Sequence, residues 1–215
     1  MAEIPAGNGH TDTHLDSVVD RLCSEFAGVF SRESVAACVQ DSRDRLGPAR
    51  IEMYQPLLAY RYARDRLRVT AVGTGALDKV LPEVLFVCAG NSGRSQLAEA
   101  LLTARAAGKV TVRSAGTSPA LEVAPHIREV LAEIGIDLGD AYPKPLTDES
   151  VAAADIVVTA GCPDACPVLP GRRYVDWDLP DPSGAPVEAV RDIRDRIDKL
   201  VRDLLTEMHL DGASS

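Results

Sequence analysis

From residue 82 onward, short apolar runs alternate with longer segments in which apolar residues recur every three or four positions. The short runs predict β-strands, and the periodic segments predict amphipathic α-helices. Apolar strands separated by helices form parallel sheets that are covered on both faces. We therefore expect an α/β domain over 82–210 with an open, four-stranded parallel sheet. The predicted strands are 83–88, 110–114, 155–159 and 172–176, and the predicted helices are 94–107, 123–134, 147–153 and 187–208.

The earlier part of the chain shows the helical period alone. Over 11–75, apolar positions fall at three- and four-residue steps, which predicts three helices. Ser31 can cap the second helix, and Gly47-Pro48 ends it. Helices joined by short turns indicate a small all-α bundle in front of the α/β domain. Residues 1–10 are expected to form a disordered leader.

Composition and charge exclude several classes of partner. The 215-residue chain has a net charge of −9, which argues against nucleic-acid binding. No stretch approaches the length of an apolar membrane span, and the amino terminus does not resemble a signal peptide. The five cysteines are an odd number in a chain with no export signal, so we expect free thiols, some of them reactive. A cytoplasmic protein without nucleic-acid or membrane partners is the resulting expectation.

One loop carries the clearest chemical signal, because the first predicted strand runs through Cys88-Ala-Gly-Asn-Ser-Gly-Arg94 directly into a helix. Such a junction points backbone N–H groups and the positive end of the helix dipole at one place. Gly90 and Gly93 let the backbone curve around that place, and the Arg94 guanidinium suits a tetrahedral oxyanion. The same field favours the thiolate form of Cys88. The loop is therefore predicted to hold a nucleophilic sulfur against a phosphate-like anion.

Further motifs follow this loop in order: Ser114-Ala-Gly-Thr117, Gly135-Ile-Asp137, Ala154-Asp-Ile-Val-Val-Thr159 and Asp176-Trp-Asp-Leu-Pro-Asp-Pro182. Together they resemble the low-molecular-weight protein tyrosine phosphatases and, within that fold, the thioredoxin-coupled arsenate reductases. The resemblance implies that Cys88 is the nucleophile, that Ser95 donates to its thiolate and that Asp181 is the general acid. It also implies that the oxyanion is held by Arg94 and by the loop residues Ala89, Gly90, Asn91, Ser92 and Gly93.

Two cysteines in Gly161-Cys-Pro-Asp-Ala-Cys-Pro167 favour a reductase over a phosphatase. Both reactions begin with attack on a tetrahedral oxyanion, but only arsenate reduction needs two more electrons from thiols. By the resemblance, Cys162 attacks the Cys88–arsenic adduct and releases arsenite, and Cys166 then forms a Cys162–Cys166 disulfide that thioredoxin reduces. Gln96, where phosphatases commonly carry proline, also favours the reductase. The alternatives are a phosphatase acting on phosphotyrosine or a small phosphate ester, and a non-catalytic anion-binding protein.

The resemblance also leads to an expectation about bound metal ions. Some members of the family hold a potassium ion through an Asn, a Glu, a Ser and an Asp. Asn91, Glu99 and Ser114 match, but Lys144 stands at the fourth position, so we expect no potassium requirement and no cofactor besides the external reductant thioredoxin. The Cys-x₃-Cys pair is a weak zinc signal, because no second close-spaced pair of ligands accompanies it.

The helical domain carries no catalytic motif of its own. A homodimer through these helices is one hypothesis, with Tyr54, Tyr60 and Tyr62 as candidate contacts. A bundle that packs on its own α/β domain explains the pattern equally well. Cys23 and Cys38 lie on apolar faces of predicted helices, so we expect them in the core.

Overall fold

The computed structural model describes residues 9–47, 54–162 and 166–210, with side chains from Leu15 onward. The chain divides into two compact units, Met1–Asp78 and Lys79–Ser215. The predicted disordered leader falls mostly on residues 1–8, which lie outside the described residues. Its last two residues, Gly9 and His10, belong to the first helix, which corrects the prediction there. The apolar period begins only later in this helix, so the sequence pattern did not mark its start.

The first unit consists of three helices, α1 (Gly9–Glu25), α2 (Arg32–Leu46) and α3 (Gln55–Gly73). Ser31 caps α2 by accepting a hydrogen bond from the backbone N–H of Ser34, and Gly47 ends it with a φ of +66°. The apolar faces of the three helices share one core. Its buried residues are Val18, Val19, Leu22, Phe26, Val35, Val39, Tyr60, Ala63 and Leu67.

Two of the three tyrosines considered for a dimer contact are not available on the surface. Tyr60 is 9% exposed and Tyr62 is 4% exposed, whereas Tyr54 is 53% exposed. The Tyr60 hydroxyl donates a hydrogen bond to Glu25, so it joins α3 to α1 within this unit. The expectation that Tyr60 forms a dimer contact is therefore wrong, because the helix period alone did not show that this position faces the core of the unit. Cys23 and Cys38 pack against the core, as expected.

The second unit is the predicted α/β domain, with a parallel sheet in the order β2-β1-β3-β4. Most predicted boundaries lie within two residues of the observed ones, and the fold class is confirmed. No helix in the described part of the chain is long and apolar enough to span a membrane. The elements are β1 (Glu83–Cys88), α4 (Arg94–Ala106), β2 (Thr111–Gly116), α5 (Pro125–Ala132), α6 (Asp148–Ala153), β3 (Ile156–Thr159), β4 (Arg173–Asp176) and α7 (Val187–Glu207).

The side chains of β1 point alternately to the two faces of the sheet, so they belong to two different core clusters. Val84, Phe86 and Cys88 pack in one cluster with residues of α4, α5 and α7. Leu85 and Val87 point to the opposite face and pack in a second cluster, which includes residues of α6. This explains why the strand is apolar at consecutive positions, since both of its faces are covered.

Helix α5 begins two residues later than predicted, and proline explains the difference. Ala124 is extended, with φ −60° and ψ 132°, because the residue before a proline is disfavoured in the helical region. Its backbone N–H donates to the Ser92 carbonyl at 3.0 Å. The entry to α5 is therefore bonded to the Cys88 loop.

Candidate active site

Cys88 is the last residue of β1, at the carboxyl edge of the sheet, where ligands of open α/β sheets bind. It is buried, and its Sγ lies 3.0 Å from the Ser95 Oγ at the start of α4. That hydroxyl also accepts a hydrogen bond from Asn91 Nδ2 at 2.8 Å. The Ser95 hydroxyl is therefore placed where it can donate its proton to the sulfur.

Asn91 determines the curvature of the loop. Its φ is +46°, a left-handed value that is uncommon for residues other than glycine. Its fully buried side chain accepts from the backbone N–H of Lys144 at 2.7 Å and from Gln96 Nε2 at 3.1 Å, and it donates to Ser114 Oγ at 2.8 Å. These bonds from three parts of the chain hold a backbone conformation that would otherwise be strained.

Arg94 reaches from the loop to the segment that carries the predicted general acid. Its Nη1 donates to the Leu179 carbonyl at 3.2 Å, and its Nη2 donates to Asp181 Oδ2 at 2.9 Å. The other carboxylate oxygen of Asp181 accepts from the backbone N–H of Ser183 at 2.9 Å. Both oxygens of the acid are thus bonded, which orients the carboxyl group.

These residues surround a cavity of about 210 Å³. Of the predicted anion-binding residues, Ala89 and Asn91 do not line it: Asn91 is turned into the hydrogen-bond network, and the Ala89 carbonyl accepts from Ser118. His126 also lines the cavity, and the sequence analysis missed it because nothing next to Pro125 marks a site residue. The lining residues are Cys88, Gly90, Ser92, Gly93, Arg94, Ala124, His126, Asp181, Pro182 and Ser183.

Cys162 comes three residues after the end of β3, the strand that pairs with β1, and it packs against the cluster of Leu85 and Val87. A Cβ on Gly161 would lie only 2.3 Å from Arg94 Nη1, so the backbone here touches the guanidinium. Burial raises the pKa of the Cys162 thiol, a backbone hydrogen bond from Ala160 opposes the shift, and the charges of Cys88 and Arg94 raise and lower it respectively.

Cys166 lies on the other side of the sheet from Cys88. It is 6% exposed and packs in the cluster with Leu85 and Val87, whereas Cys88 belongs to the cluster of α4 and α7. Burial raises the pKa of the Cys166 thiol to about 11, and the neighbouring Cys162 adds to this shift. In this conformation Cys166 is thus a protonated thiol at neutral pH.

Lys144, the residue at the fourth position of the potassium ligand set considered in the sequence analysis, forms an ion pair with Glu99. Its Nζ lies 3.2 Å and 3.3 Å from the two carboxylate oxygens of Glu99, and Ser114 donates to the same carboxylate. An ammonium group repels a second cation, so these residues do not fit a potassium ion. Within the described ranges, no three His, Cys, Asp or Glu side chains are grouped so that they could hold a metal ion.

Two family models match the chain. The model described as low molecular weight phosphotyrosine protein phosphatase matches residues 83–214. The model described as protein-tyrosine-phosphatase-like, N-terminal domain matches residues 15–71. Between them they account for both compact units of the structure.

Individual relatives include reductases and a phosphatase. The solved thioredoxin-dependent arsenate reductase of Corynebacterium glutamicum is 39% identical with a TM-score of 0.84, covering 94% of this chain and 100% of that one. The glutaredoxin arsenate reductase of Synechocystis sp. is 30% identical over 131 residues, 60% of this chain and 99% of the relative. The solved low molecular weight protein tyrosine phosphatase from T. tengcongensis is 26% identical with a TM-score of 0.55, covering 59% of this chain and 99% of that one.

Proposed function

The chain belongs to the low-molecular-weight phosphotyrosine protein phosphatase family, and from that membership we propose that it reduces arsenate to arsenite with electrons from thioredoxin. The observation that carries the proposal is the contact between Arg94 of the Cys88 loop and Gly161, the residue directly before Cys162. Hydrolysis of a phosphate ester transfers no electrons and needs no second thiol, whereas reduction of arsenate needs two electrons from thiols. The likeness to a thioredoxin-dependent arsenate reductase over nearly the whole chain supports the same function.

The first step is attack by the Cys88 thiolate on the arsenic of bound arsenate. A sulfur–arsenic bond forms, and one arsenic–oxygen bond breaks. Asp181, in its protonated carboxylic acid form, gives its proton to the departing oxygen, which leaves as water. Arg94 and the loop amides stabilise the negative charge on the remaining oxygens. Ser95, 3.0 Å from the sulfur, stabilises the thiolate before the attack.

The second step transfers two electrons to arsenic. The Cys162 thiolate attacks the Cys88 sulfur, and a Cys88–Cys162 disulfide forms. The electron pair of the broken sulfur–arsenic bond stays with arsenic, which passes from the +5 to the +3 state and leaves as arsenite after protonation by solvent. Two thiols are oxidised for each arsenate reduced, so electrons balance.

The third step restores the nucleophile. The Cys166 thiolate attacks Cys162, a Cys162–Cys166 disulfide forms and Cys88 leaves as a thiolate. The dithiol of thioredoxin then reduces the new disulfide by two successive exchanges and is itself oxidised. The three sulfur atoms thus form a thiol relay from the cavity to the other face of the sheet.

The experiment is an arsenate-dependent NADPH oxidation assay with thioredoxin and thioredoxin reductase. We expect turnover in the native protein and its loss in Cys88→Ser, Cys162→Ser and Cys166→Ser. Cys23→Ser, in the helical unit, is the matched control and should retain full activity. Activity that survives Cys162→Ser would refute the relay, and activity with glutaredoxin and glutathione alone would refute the choice of thioredoxin. Hydrolysis of p-nitrophenyl phosphate without arsenate turnover would assign a phosphatase instead.

A further inference from the structure

Tyr174 makes two hydrogen bonds to the chain that follows Cys166. Its hydroxyl accepts from the backbone N–H of Leu169 at 2.8 Å and donates to the Pro167 carbonyl at 3.0 Å. Its ring is half-buried and packs against the cluster that contains Cys166. Because Tyr174 lies on β4, these bonds attach the Cys166 segment, defined as residues 166–169, to the sheet.

The same carbonyl connects Tyr174 to the sulfur. Cys166 Sγ lies 3.9 Å from the Pro167 carbonyl oxygen, the atom that accepts from the Tyr174 hydroxyl. Cys166 is 6% exposed, so the surrounding residues shield it from most contact with solvent and with an external disulfide in this arrangement. A buried thiol is a poor nucleophile, because the thiolate is the attacking species and burial disfavours it.

We propose that Tyr174 is a positioning residue that holds the Cys166 segment closed in the reduced protein, and that release of its two hydrogen bonds accompanies attack by Cys166. This inference rests on the proposed thiol relay. On opening, Cys166 loses its proton to solvent and attacks Cys162, and the bond between Cys88 and Cys162 breaks with Cys88 leaving as a thiolate. The closed segment keeps Cys166 unreactive until the first disulfide has formed.

Tyr174→Phe tests the closed state, because it removes the hydroxyl and keeps the ring. The measurement is the rate of iodoacetamide alkylation of Cys166 in the reduced protein, followed by peptide mass spectrometry. We expect a roughly tenfold increase, because the loss of two hydrogen bonds raises the population of locally open states. An unchanged rate would overturn the proposal. This readout does not depend on arsenate, so it stays informative if the proposed function fails.

Ser150→Ala is the matched control. The Ser150 hydroxyl also accepts from a backbone N–H and donates to a backbone carbonyl, both of Thr147 at the start of α6. The control loses the same kinds of bond from the same unit without touching the Cys166 segment. We expect its Cys166 alkylation rate to stay at the native value. An equal increase in both variants would mean general loosening and would refute a specific function of Tyr174.

Two further measurements follow the opening itself. In single turnover with arsenate, Tyr174→Phe should form the Cys162–Cys166 disulfide several-fold faster, while the Cys88–arsenic adduct forms at the native rate. A changed rate of Cys88–arsenic adduct formation, or an unchanged rate of Cys162–Cys166 disulfide formation, would count against the proposal.

In the native protein, the Leu169 amide hydrogen should exchange faster in the Cys162–Cys166 disulfide form than in the reduced form. Equal exchange rates in the two forms would overturn the proposal without any variant.

Discussion

Arg94 Nη2 donates a 2.9 Å hydrogen bond to Asp181 Oδ2, joining residues that are 87 positions apart in the chain. The arginine side chain is 9% exposed and the aspartate side chain 59%, so a buried cation holds a carboxylate at the mouth of the cavity. In the proposed reaction, one residue holds the oxyanion and the other gives the proton to its departing oxygen. Their direct contact means that the position of the acid depends on the position of the arginine.

Asp181→Asn should lower the rate of Cys88–arsenic adduct formation by roughly 10²- to 10⁴-fold, the usual contribution of a general acid. The amide keeps an oxygen that can accept from Arg94, so arsenate affinity should change little. The measurement is rapid-quench kinetics across arsenate concentrations. Asp178→Asn, an exposed carboxylate on the same segment, is the control and should react at the native rate. A native rate in Asp181→Asn would remove this residue from the mechanism.

Gly161→Ala should weaken arsenate binding and slow the reaction, lowering kcat/KM by about 10- to 100-fold. The reason is that a small displacement of the Arg94 guanidinium, which positions the oxyanion, reduces the reaction rate strongly. The added Cβ would lie 2.3 Å from Arg94 Nη1, so the guanidinium must move. Gly171→Ala is the matched control, since its φ of +77° resembles the +73° of Gly161 but no atom lies within 4 Å of its Cβ. Both variants should lose similar stability in urea unfolding. Equal catalytic losses would show that backbone strain alone is responsible.

Activity should be the same in potassium and sodium salts, because the Lys144 ammonium already neutralises Glu99. Lys144→Ala should lower the free energy of unfolding by about 1–3 kcal/mol, since it leaves a half-buried carboxylate without its cation. Urea unfolding measures this loss, and Lys199→Ala on the exposed face of α7 is the control. Strong activation of the native protein by potassium over sodium would contradict the prediction.

The free energy of unfolding should fall as the pH rises from about 9 to about 11. Burial raises the pKa of the Cys166 thiol from 9.0 to about 11, so the folded protein keeps a proton that the unfolded chain loses in this range. The unfolded state then binds fewer protons, and stability decreases with pH by about 2 kcal/mol at most. Urea unfolding of the native protein and Cys166→Ala at several pH values measures the difference. Parallel curves would show that Cys166 does not contribute.

The sequence by itself determined the features that are encoded in contiguous stretches. Runs of apolar residues on β1 and the amphipathic period of α7 identified the α/β domain, because burial on one or both faces leaves a local pattern. The loop from Cys88 to Ser95 could be read as an anion site for the same reason, since strand, glycines, arginine and helix start are adjacent. The order of the motifs, ending at Asp181, led to the family.

Only the tertiary structure decided which distant residues meet. The contact of Gly161 with Arg94, the lining of the cavity by His126 and the bonds from Tyr174 to the Cys166 segment all join separate elements. These contacts depend on strand order and on the direction of each side chain, and neither can be recognised from a local sequence pattern. The same reason explains Tyr60, which a helical period could not assign to the inside or the outside. Local patterns specify elements, whereas the packing of those elements against one another specifies the site.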